Sequence, residues 1–310
     1  MDGQELLAER FEAHRGHLRG VAYRMLGSLS DADDVIQEAW LRLSRTHADA
    51  DAGTEGIENL AGWLRTVVSR LCLDMLRSAA ARHEQPAGEH LPDRMPRPGE
   101  GGGPKGPEEE VLLADSVGRA LLVVLDTLGP AERVAFVLHD LFAVPFTQIA
   151  PIVERTPVAA KKLASRARHK VQGPPQVLSA PGLAEDRRVV DAFLGAARSG
   201  DLEALLAVLA PDVVRTADLT EVLRGARAVA EETVVLRDNA RFAEAALVNG
   251  TVGLVVAPYG RLVLALLIRV EDGRVAAYEV IADPRRLRAL EFSVLPSTCG
   301  QAGAPRRTRG

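Results

Sequence analysis

The segment FTQIAPIVERTPVAAKKLASRARHKV, residues 146–171, carries the strongest structural signal in the chain. Ile149 and Val153 recur at the spacing of one apolar helix face, which predicts a short first helix. Thr156 is placed to cap a second helix, and Pro157 stands at its first position, where a missing N–H costs nothing. Two short helices joined by a tight turn predict a helix-turn-helix.

The second helix of this motif carries a dense set of cations. We expect Val158, Leu163 and Ala167 to be buried and the basic side chains to be exposed. Such a helix fits the major groove of duplex DNA, with its cations near phosphates. A solvated basic face on an ordinary helical hairpin is the alternative. The predicted duplex-binding residues are Thr156, Val158, Lys161, Lys162, Ser165, Arg166 and Arg168.

Upstream, residues 5–78 predict a bundle of three helices. The first ends at Gly27, a residue typical of helix C-caps. The third, which begins NLAGWLRTVVSRLCLDMLRS, has three arginines on or near one side. Arginine beside an aromatic ring suits single-stranded nucleic acid, although Trp63 suits a core position equally well.

The second helix of the bundle, SDADDVIQEAWLRL from Ser30, has an acidic polar face. Ser30 is the predicted N-cap, and Asp33 completes a capping-box pattern. This face would repel phosphate, unlike the arginine and lysine helices downstream. Its charge suits a basic protein surface instead.

The composition of the whole chain limits its function. The 310 residues are 47% apolar and have a formal net charge of −4, which argues against a uniformly basic coat. Cys72 and Cys299 show no metal-ligand pattern, so we expect neither a metal site nor a disulfide framework. No run approaches the roughly 18 apolar residues of a membrane span, so we expect a cytoplasmic protein without a membrane partner.

Changes in composition mark the predicted domain borders. Residues 83–108 are rich in Pro and Gly and predict a flexible linker, and residues 296–310 predict a disordered tail. In the C-terminal third, helices precede strand-like runs that are joined at Asn249-Gly250 and Asp272-Gly273, both typical hairpin turns. Helices followed by a hairpin-linked sheet predict an α+β domain over residues 183–295.

Four stretches together resemble bacterial RNA polymerase sigma factors of the extracytoplasmic-function type. They are YRMLGSLSDADDVIQEAWLRL, NLAGWLRTVVSRLCLDMLRS, LGPAERVAFVLHDLFAVPFTQIAPIV and KKLASRAR, in this order over residues 10–170. The C-terminal part resembles a SnoaL-like domain of the NTF2-like fold. The expected fold class is therefore multidomain, with two all-α sigma domains followed by an α+β NTF2-like cone.

The resemblance implies a division of labour and no catalysis, cofactor or metal. Region 2, residues 1–82, would dock on the coiled coil of the polymerase β′ subunit and would melt the promoter −10 element. Region 4, residues 109–173, would contact the β flap and recognise the −35 element through a helix-turn-helix at 146–170. The residues assigned to core polymerase are Asp31, Asp34, Val35, Gln37, Glu38 and Trp40. Those assigned to the −10 element are Asn59, Trp63, Arg65, Arg70 and Arg77.

The chain departs from the family pattern at several places. Glu154 stands where a helix-turn-helix usually has Gly, which predicts a strained or differently shaped turn. A long acidic loop is expected from 44 to 58, where the family selects a flipped base. The loop after Val214 is shortened. The predicted contacts between the extension and the sigma core are Leu91, Pro92, Asp218, Asp283 and Pro284.

Three roles are open for the C-terminal domain. Catalysis would need a base in its pocket, and the candidates are Asp218, Glu244, Glu279, Tyr259 and Tyr278. Small-ligand sensing is the second role. We favour the third, intramolecular regulation, because a short tether gives even weak docking a high effective concentration.

Two further points stay open for the chain as a whole. The helix-turn-helix also permits a one-component DNA-binding regulator that never binds polymerase. A sigma factor and such a regulator differ in what the acidic helix binds. The sequence does not decide whether a separate anti-sigma partner exists.

Overall fold

The structure, a computed structural model, describes residues 3–51, 57, 59–83, 118–174 and 182–295. Several predictions fall on residues outside these ranges: the linker beyond residue 83 with Leu91 and Pro92, the start of the domain 109–173, and the tail 296–310. The described ranges also leave out part of the predicted loop 44–58, and the side chain of Tyr259 is not described. Among the helices of the described ranges, none is both long enough and apolar enough to cross a membrane.

Three long helices form the N-terminal part. They are α1 (Gly3–Leu26), α2 (Leu29–Asp51) and α3 (Leu60–His83). The prediction that α1 ends at Gly27 is confirmed, because the Gly27 N–H donates to the Tyr23 carbonyl oxygen and its φ is 72°. α2 extends well into the segment that we expected to be a loop. The alanines of that segment favour helix and prolong it.

The start of α2 also differs from the prediction. Ser28 is the N-cap, since its hydroxyl accepts a hydrogen bond from the Asp31 N–H at 3.3 Å. Ser30 lies inside the first turn, so the proposed capping box is wrong. Asp33 instead forms an ion pair of 2.7 Å with Arg19 of α1. Two nearby serines give the same local signal, and the packing of α1 against α2 decides between them.

Four helices follow after the gap. They are α4 (Arg119–Asp126), α5 (Pro130–Phe136), which continues as a π-helical turn (Val137–Leu141), α6 (Phe146–Ile149) and α7 (Pro157–Gln172). The predicted cap of α7 is confirmed, because the Thr156 hydroxyl accepts the Ala159 N–H at 3.2 Å. The expected burial of Val158 is wrong, since 67% of its surface is exposed. The buried stripe of α7 passes instead through Ala160, Ala164, Ala167 and Val171.

The C-terminal part consists of helices packed on one seven-stranded sheet. The helices are α8 (Leu183–Ser199), α9 (Leu202–Val208), α10 (Ala226–Val235), α11 (Arg237–Ala240) and α12 (Pro284–Ala289). The strands are β1 (Leu209–Ala217), β2 (Thr220–Arg224), β3 (Ala243–Val248), β4 (Thr251–Val256), β5 (Leu264–Glu271), β6 (Arg274–Ile281) and β7 (Phe292–Ser293). Their order is β2-β1-β6-β5-β4-β3-β7, with β1 and β6 parallel and the other pairs antiparallel.

The hairpin turns confirm one part of the sequence prediction and correct another. Asn249-Gly250 and Asp272-Gly273 both adopt positive φ, as the predicted turns require. The apolar spacing of residues 187–214 predicts two short helices, so it does not predict β1. Pro211 cannot continue that helix, so the chain becomes extended at Leu209.

The sheet is buried on both faces, by different partners. One face packs on α8, α9 and α10, and Leu247 and Val256 belong to that core. The other face places Val248 and Val255 in a larger core shared with α1–α7. Neighbouring strand residues therefore face opposite cores, as the two-residue period of a strand requires. The expected order of two helical parts and an α+β part is confirmed.

Candidate nucleic-acid and protein interfaces

The polar face of α2 presents several of the residues predicted to bind polymerase. Asp34 and Gln37 are exposed, and Asp31 is half-buried. Glu38 accepts a hydrogen bond from Arg42 Nε at 2.8 Å, one turn along the helix. Leu41 is 42% exposed beside them, so the face is acidic with an apolar side chain at its border. Such a face is complementary in charge to a basic protein surface.

Two residues assigned to the same face have other surroundings. Val35 is only 2% exposed and belongs to the core, so we remove it from the proposed contacts. Trp40 is half-buried and its ring packs on Phe11 with centroids 5.1 Å apart. The helical period places these side chains on the inner side of α2.

The three arginines of α3 point toward the helix-turn-helix. Arg65 Nη2 donates to Gln148 Oε1 at 2.9 Å. Arg70 Nη2 donates to the Pro151 carbonyl oxygen at 3.2 Å. Arg77 Nη2 donates to Glu154 Oε2 at 3.0 Å, and Arg77 also lies 3.9 Å from Asp74 on its own helix. The residues predicted to bind a DNA strand thus contact the helix-turn-helix that is predicted to bind duplex DNA.

Asn59 and Trp63 were assigned to the same strand-binding surface. Both also stabilise α3. Asn59 Oδ1 accepts the Gly62 N–H at 2.9 Å, which caps the first turn of the helix. Trp63 is partly buried and packs against the large core. Asn59, Arg70 and Arg77 are exposed, whereas Trp63 and Arg65 are half-buried.

The cations of α7 fall into two groups. Lys161 and Lys162 are exposed on its first turns, near the exposed Val158. Arg166 and Lys170 both donate to the Glu132 carboxylate of α5 at 3.0 Å. These pairs place the first two turns, with Thr156 and Ser165, in the better position to reach base edges and phosphates.

Glu132 holds its two partners as a carboxylate at neutral pH. Partial burial acts to raise the pKa of this group, but the hydrogen bonds and charges of Lys170 and Arg166 outweigh it and lower that pKa. Arg168 is bound in the same manner by Asp140, with its Nε 2.7 Å from Oδ1. The C-terminal half of α7 is therefore already partly neutralised by its own domain.

Glu154 has the unusual backbone predicted for its position. Its φ is 56°, in the left-handed region that favours glycine. A non-glycine residue there costs roughly 1 kcal/mol. The turn carries this strain, and the Glu154 carboxylate binds Arg77.

The predicted domain-contact residues of the C-terminal part are brought to one another. Asp218 Oδ1 accepts hydrogen bonds from Arg286 Nη1 at 3.2 Å and from the Asp283 N–H at 3.4 Å. Arg286 also lies 2.8 Å from Glu279. Asp283 caps α12 and Pro284 begins it. These residues join the β1–β2 turn to the end of β6.

The contacts that join the C-terminal part to α4 and α7 come from residues other than the predicted domain contacts. Glu244 Oε2 accepts the Ala120 N–H at 3.0 Å, so it caps α4 from another domain. The Val294 N–H donates to the Val171 carbonyl oxygen at 2.8 Å. The Ser293 hydroxyl donates to the Lys170 carbonyl oxygen at 3.1 Å. Two of the last carbonyl groups of α7 are thus bound by the chain around β7.

The candidates for a catalytic base have structural partners. Glu244 caps α4, and Asp218 and Glu279 bind Arg286. Burial raises the pKa of Tyr278, against the opposing effects of nearby Thr233 and Arg215.

Burial likewise raises the pKa of the Cys72 thiol to about 12. Across the described residues, no group of three or more His, Cys, Asp and Glu side chains is placed to hold a metal ion.

Comparisons with known proteins agree on one family. The Sigma-70 region 2 model matches residues 10–82. The ECF RNA polymerase sigma factor SigJ of Mycobacterium tuberculosis is 38% identical over 293 residues, covering 88% of this chain and 91% of that protein. The probable ECF RNA polymerase sigma factor SigI of the same organism is 34% identical over 298 residues, covering 94% of this chain and 98% of that protein. The crystal structure of M. tuberculosis SigJ aligns with 93% of this chain and 100% of its own at 32% identity and a TM-score of 0.42. The identity and coverage of SigJ and SigI show that the chain belongs to the extracytoplasmic-function sigma factors of bacterial RNA polymerase.

Proposed function

We propose that this chain is a promoter-specific transcription initiation factor, which binds core RNA polymerase and directs it to −10 and −35 elements. The observation that supports this most is the separation of charge within one chain. Asp31, Asp34 and Glu38 form an acidic face on α2, whereas α3 and the first turns of α7 present exposed basic side chains, among them Arg70, Lys161 and Lys162. The chemistry of RNA synthesis belongs to the polymerase. Reconstitution with core enzyme and run-off transcription after promoter mapping tests the proposal.

The acidic face of α2 is our proposed contact with the coiled coil of the polymerase β′ subunit. Asp31, Asp34, Gln37 and Glu38 supply the polar surface, and Trp40 supports it from behind. Region 4 would contact the β flap. A one-component regulator would have no use for this face, so a pull-down with core polymerase distinguishes the two functions. Failure to bind core would defeat the sigma assignment.

The first turns of α7 are our proposed contact with duplex −35 DNA. Thr156, Val158, Lys161, Lys162 and Ser165 are all exposed there. An exposed apolar side chain such as Val158 suits a thymine methyl group, and lysines suit phosphates. Arg166 and Arg168 stand behind them, held by acidic partners.

Replacing Lys161 or Lys162 by alanine is expected to weaken −35 duplex binding by about threefold each at moderate salt. Each change should lower the slope of log affinity against log salt by about 1, because one phosphate contact is lost. Titration of a labelled duplex at several salt concentrations by fluorescence anisotropy measures both quantities.

Arg166→Ala is the matched control for these lysine variants. It removes the same charge from the same helix, yet Arg166 is already paired with Glu132. We expect a smaller loss of affinity and a smaller change of slope. An Arg166→Ala effect larger than that of both lysines would contradict our placement of the phosphate contacts.

The arginine row of α3 is our proposed contact with the melted −10 strand. Arg65, Arg70 and Arg77 all donate to the segment 148–154, and Trp63 lies seven residues before Arg70, on the same side of the helix. Guanidinium groups bind phosphates and stack on bases, so the row suits a single strand. Asn59 would contribute from the start of the helix.

The C-terminal domain is our proposed intramolecular regulator of region 4. The support is its contact with both ends of that region: Glu244 binds the start of α4, and Ser293 and Val294 bind the end of α7. We place region 2 at 1–82, the linker at 83–108, region 4 at 109–173 and this domain at 183–295. Because the recognition helix is held by the docked domain, docking would favour its DNA-binding position.

A further inference from the structure

The cations of α7 are distributed over two flanks and one outer face of the helix. Successive residues of an α-helix are rotated by about 100°, so Arg168 lies about 160° from both Arg166 and Lys170. The buried alanine stripe of α7 runs between these two flanks. The outer face, opposite the stripe, bears four exposed side chains, those of Val158, Lys162, Ser165 and His169. A duplex that receives the outer face in its major groove has the two flanks nearest to its phosphates.

One carboxylate binds the cations of each flank. On the first flank, Glu132 Oε1 accepts a hydrogen bond from Arg166 Nε and Glu132 Oε2 accepts one from Lys170 Nζ, both at 3.0 Å. On the second flank, Asp140 Oδ1 lies 2.7 Å from Arg168 Nε and 2.6 Å from Arg168 Nη2. Three of the five Lys and Arg residues of α7 are thus paired with carboxylates of region 4.

The two carboxylates are recessed below the cations that they bind. The exposed fraction of the side chain is 14% for Glu132 and 17% for Asp140, whereas it is 41% or more for their three partners. A duplex would therefore meet the cations first, each with a negative charge directly behind it. A phosphate that approaches such a pair is attracted by the cation and repelled by the carboxylate, so it gains less than it would from an unpaired cation.

The stability of the helices does not account for this arrangement. An acidic residue in the first turn of α5 stabilises that helix through its dipole, but this effect needs no contact with α7. Asp140 lies in the π-helical turn Val137–Leu141, and such turns are rare and are frequent at functional sites. Ion pairs with exposed cations add little to stability. The two acidic residues are better explained by their effect on what α7 binds.

We propose that Glu132 and Asp140 limit the sequence-independent affinity of region 4 for duplex DNA by pairing with the cations on the two flanks of α7. Duplex binding then depends mainly on the outer face and on the first turns, where Lys161 and Lys162 are exposed. This inference rests on the proposed use of α7 for duplex DNA. The consequence is higher specificity, because phosphate contacts supply the sequence-independent affinity and non-specific sites compete with the promoter.

The first measurement is the affinity of the full chain for a short fluorescein-labelled duplex of mixed sequence. Glu132→Gln/Asp140→Asn removes both charges and keeps an oxygen that can accept a hydrogen bond at each position. We expect this variant to bind about five- to tenfold more tightly at moderate salt, because the freed cations add phosphate contacts. The slope of log affinity against log salt should become steeper by about 1 to 2. Tighter binding cannot result from unfolding of α7, so the expected gain is distinguishable from damage to the fold.

Glu203→Gln/Glu231→Gln is the matched control, because it removes two exposed carboxylates from α9 and α10 of the C-terminal domain. It should change the affinity by less than about twofold, the size of a general charge effect at moderate salt. An unchanged affinity of Glu132→Gln/Asp140→Asn, or an equal gain in both variants, overturns the inference. Weaker binding overturns it as well, since the carboxylates would then orient the cations toward phosphate.

A double-mutant cycle tests whether the effect acts through the flank cations. In the unaltered chain, Arg166→Ala should weaken binding of the mixed-sequence duplex by less than about twofold, because the paired guanidinium gives phosphate little. In the Glu132→Gln background the same change should weaken binding by about threefold, since the freed guanidinium then contacts phosphate. Equal effects in the two backgrounds overturn the inference and leave the role of α7 in duplex binding intact. Absence of duplex binding by every variant removes that role and the inference with it.

Discussion

The double variant Asp34→Lys/Glu38→Lys is expected to bind core RNA polymerase at least about 100-fold more weakly than the unaltered chain. Both side chains lie on the outer face of α2, away from the residues that build its core. Reversal places two like charges against a basic partner, and such a juxtaposition costs several kcal/mol. Competition for labelled core enzyme measures the loss.

The double substitution leaves the other interfaces intact. Neither altered residue lies on α7. The affinity of the free chain for a −35 duplex should therefore stay within about twofold of the unaltered chain, a margin that covers long-range charge effects. Glu203→Lys/Glu231→Lys changes the net charge equally on exposed helices of the C-terminal domain, and it should retain core binding. Equal loss in both variants would show that net charge, rather than the face of α2, determines core affinity.

Local sequence signals predicted those parts of the fold that local chemistry determines. Thr156 and Pro157 define the start of α7, and Asn249-Gly250 defines a hairpin, because each acts through its own backbone. The errors arise where packing decides between equal local signals. Ser28 replaces Ser30 as the N-cap. Val158 lies on the outer side of α7 because the alanine stripe fixes the rotation of that helix.

The contacts between domains could not be predicted from the sequence in the same manner. Gln148 and Arg65 are 83 residues apart, and Glu244 and Ala120 are 124 residues apart. No local periodicity relates such positions. The sequence did contain one signal of a contact between domains, because the β4 segment TVGLVV is apolar without alternation. Such a run is typical of a strand buried on both faces, which here requires a partner outside the C-terminal domain.

α4 shows why that partner matters for stability. Leu122, Val123, Val124 and Leu125 are consecutive and are all buried, so the helix is enclosed on every side. The sheet face that bears Val248 and Val255 forms part of the enclosure. Truncation after Gly182 would expose apolar surface on α4 and confuse loss of regulation with loss of folding. A point substitution at the contact is the sharper experiment.

Gly260→Val is expected to disturb the docking of the C-terminal domain on α4. A Cβ at Gly260 would lie 2.7 Å from Leu122 Cδ1 and 3.2 Å from Leu122 Cβ, and the φ of this residue is 79°. Overpacking of a tight contact costs typically 1–3 kcal/mol, so Leu122 or the domain must shift. We expect a clear fall in the thermal midpoint, together with weaker −35 duplex binding because Ser293 and Val294 would no longer hold the end of α7.

Gly273→Val separates the contact from the strain of the backbone. Gly273 belongs to the same domain and has a φ of 70°, but a Cβ there would meet no atom within 4 Å. Both variants carry the penalty of a β-branched residue at positive φ, whereas only Gly260→Val presses on Leu122. We therefore expect Gly260→Val to be about 2 kcal/mol more destabilising, with the loss of duplex affinity confined to it. Equal midpoints and equal duplex affinities for the two variants would contradict a docked domain that holds the recognition helix.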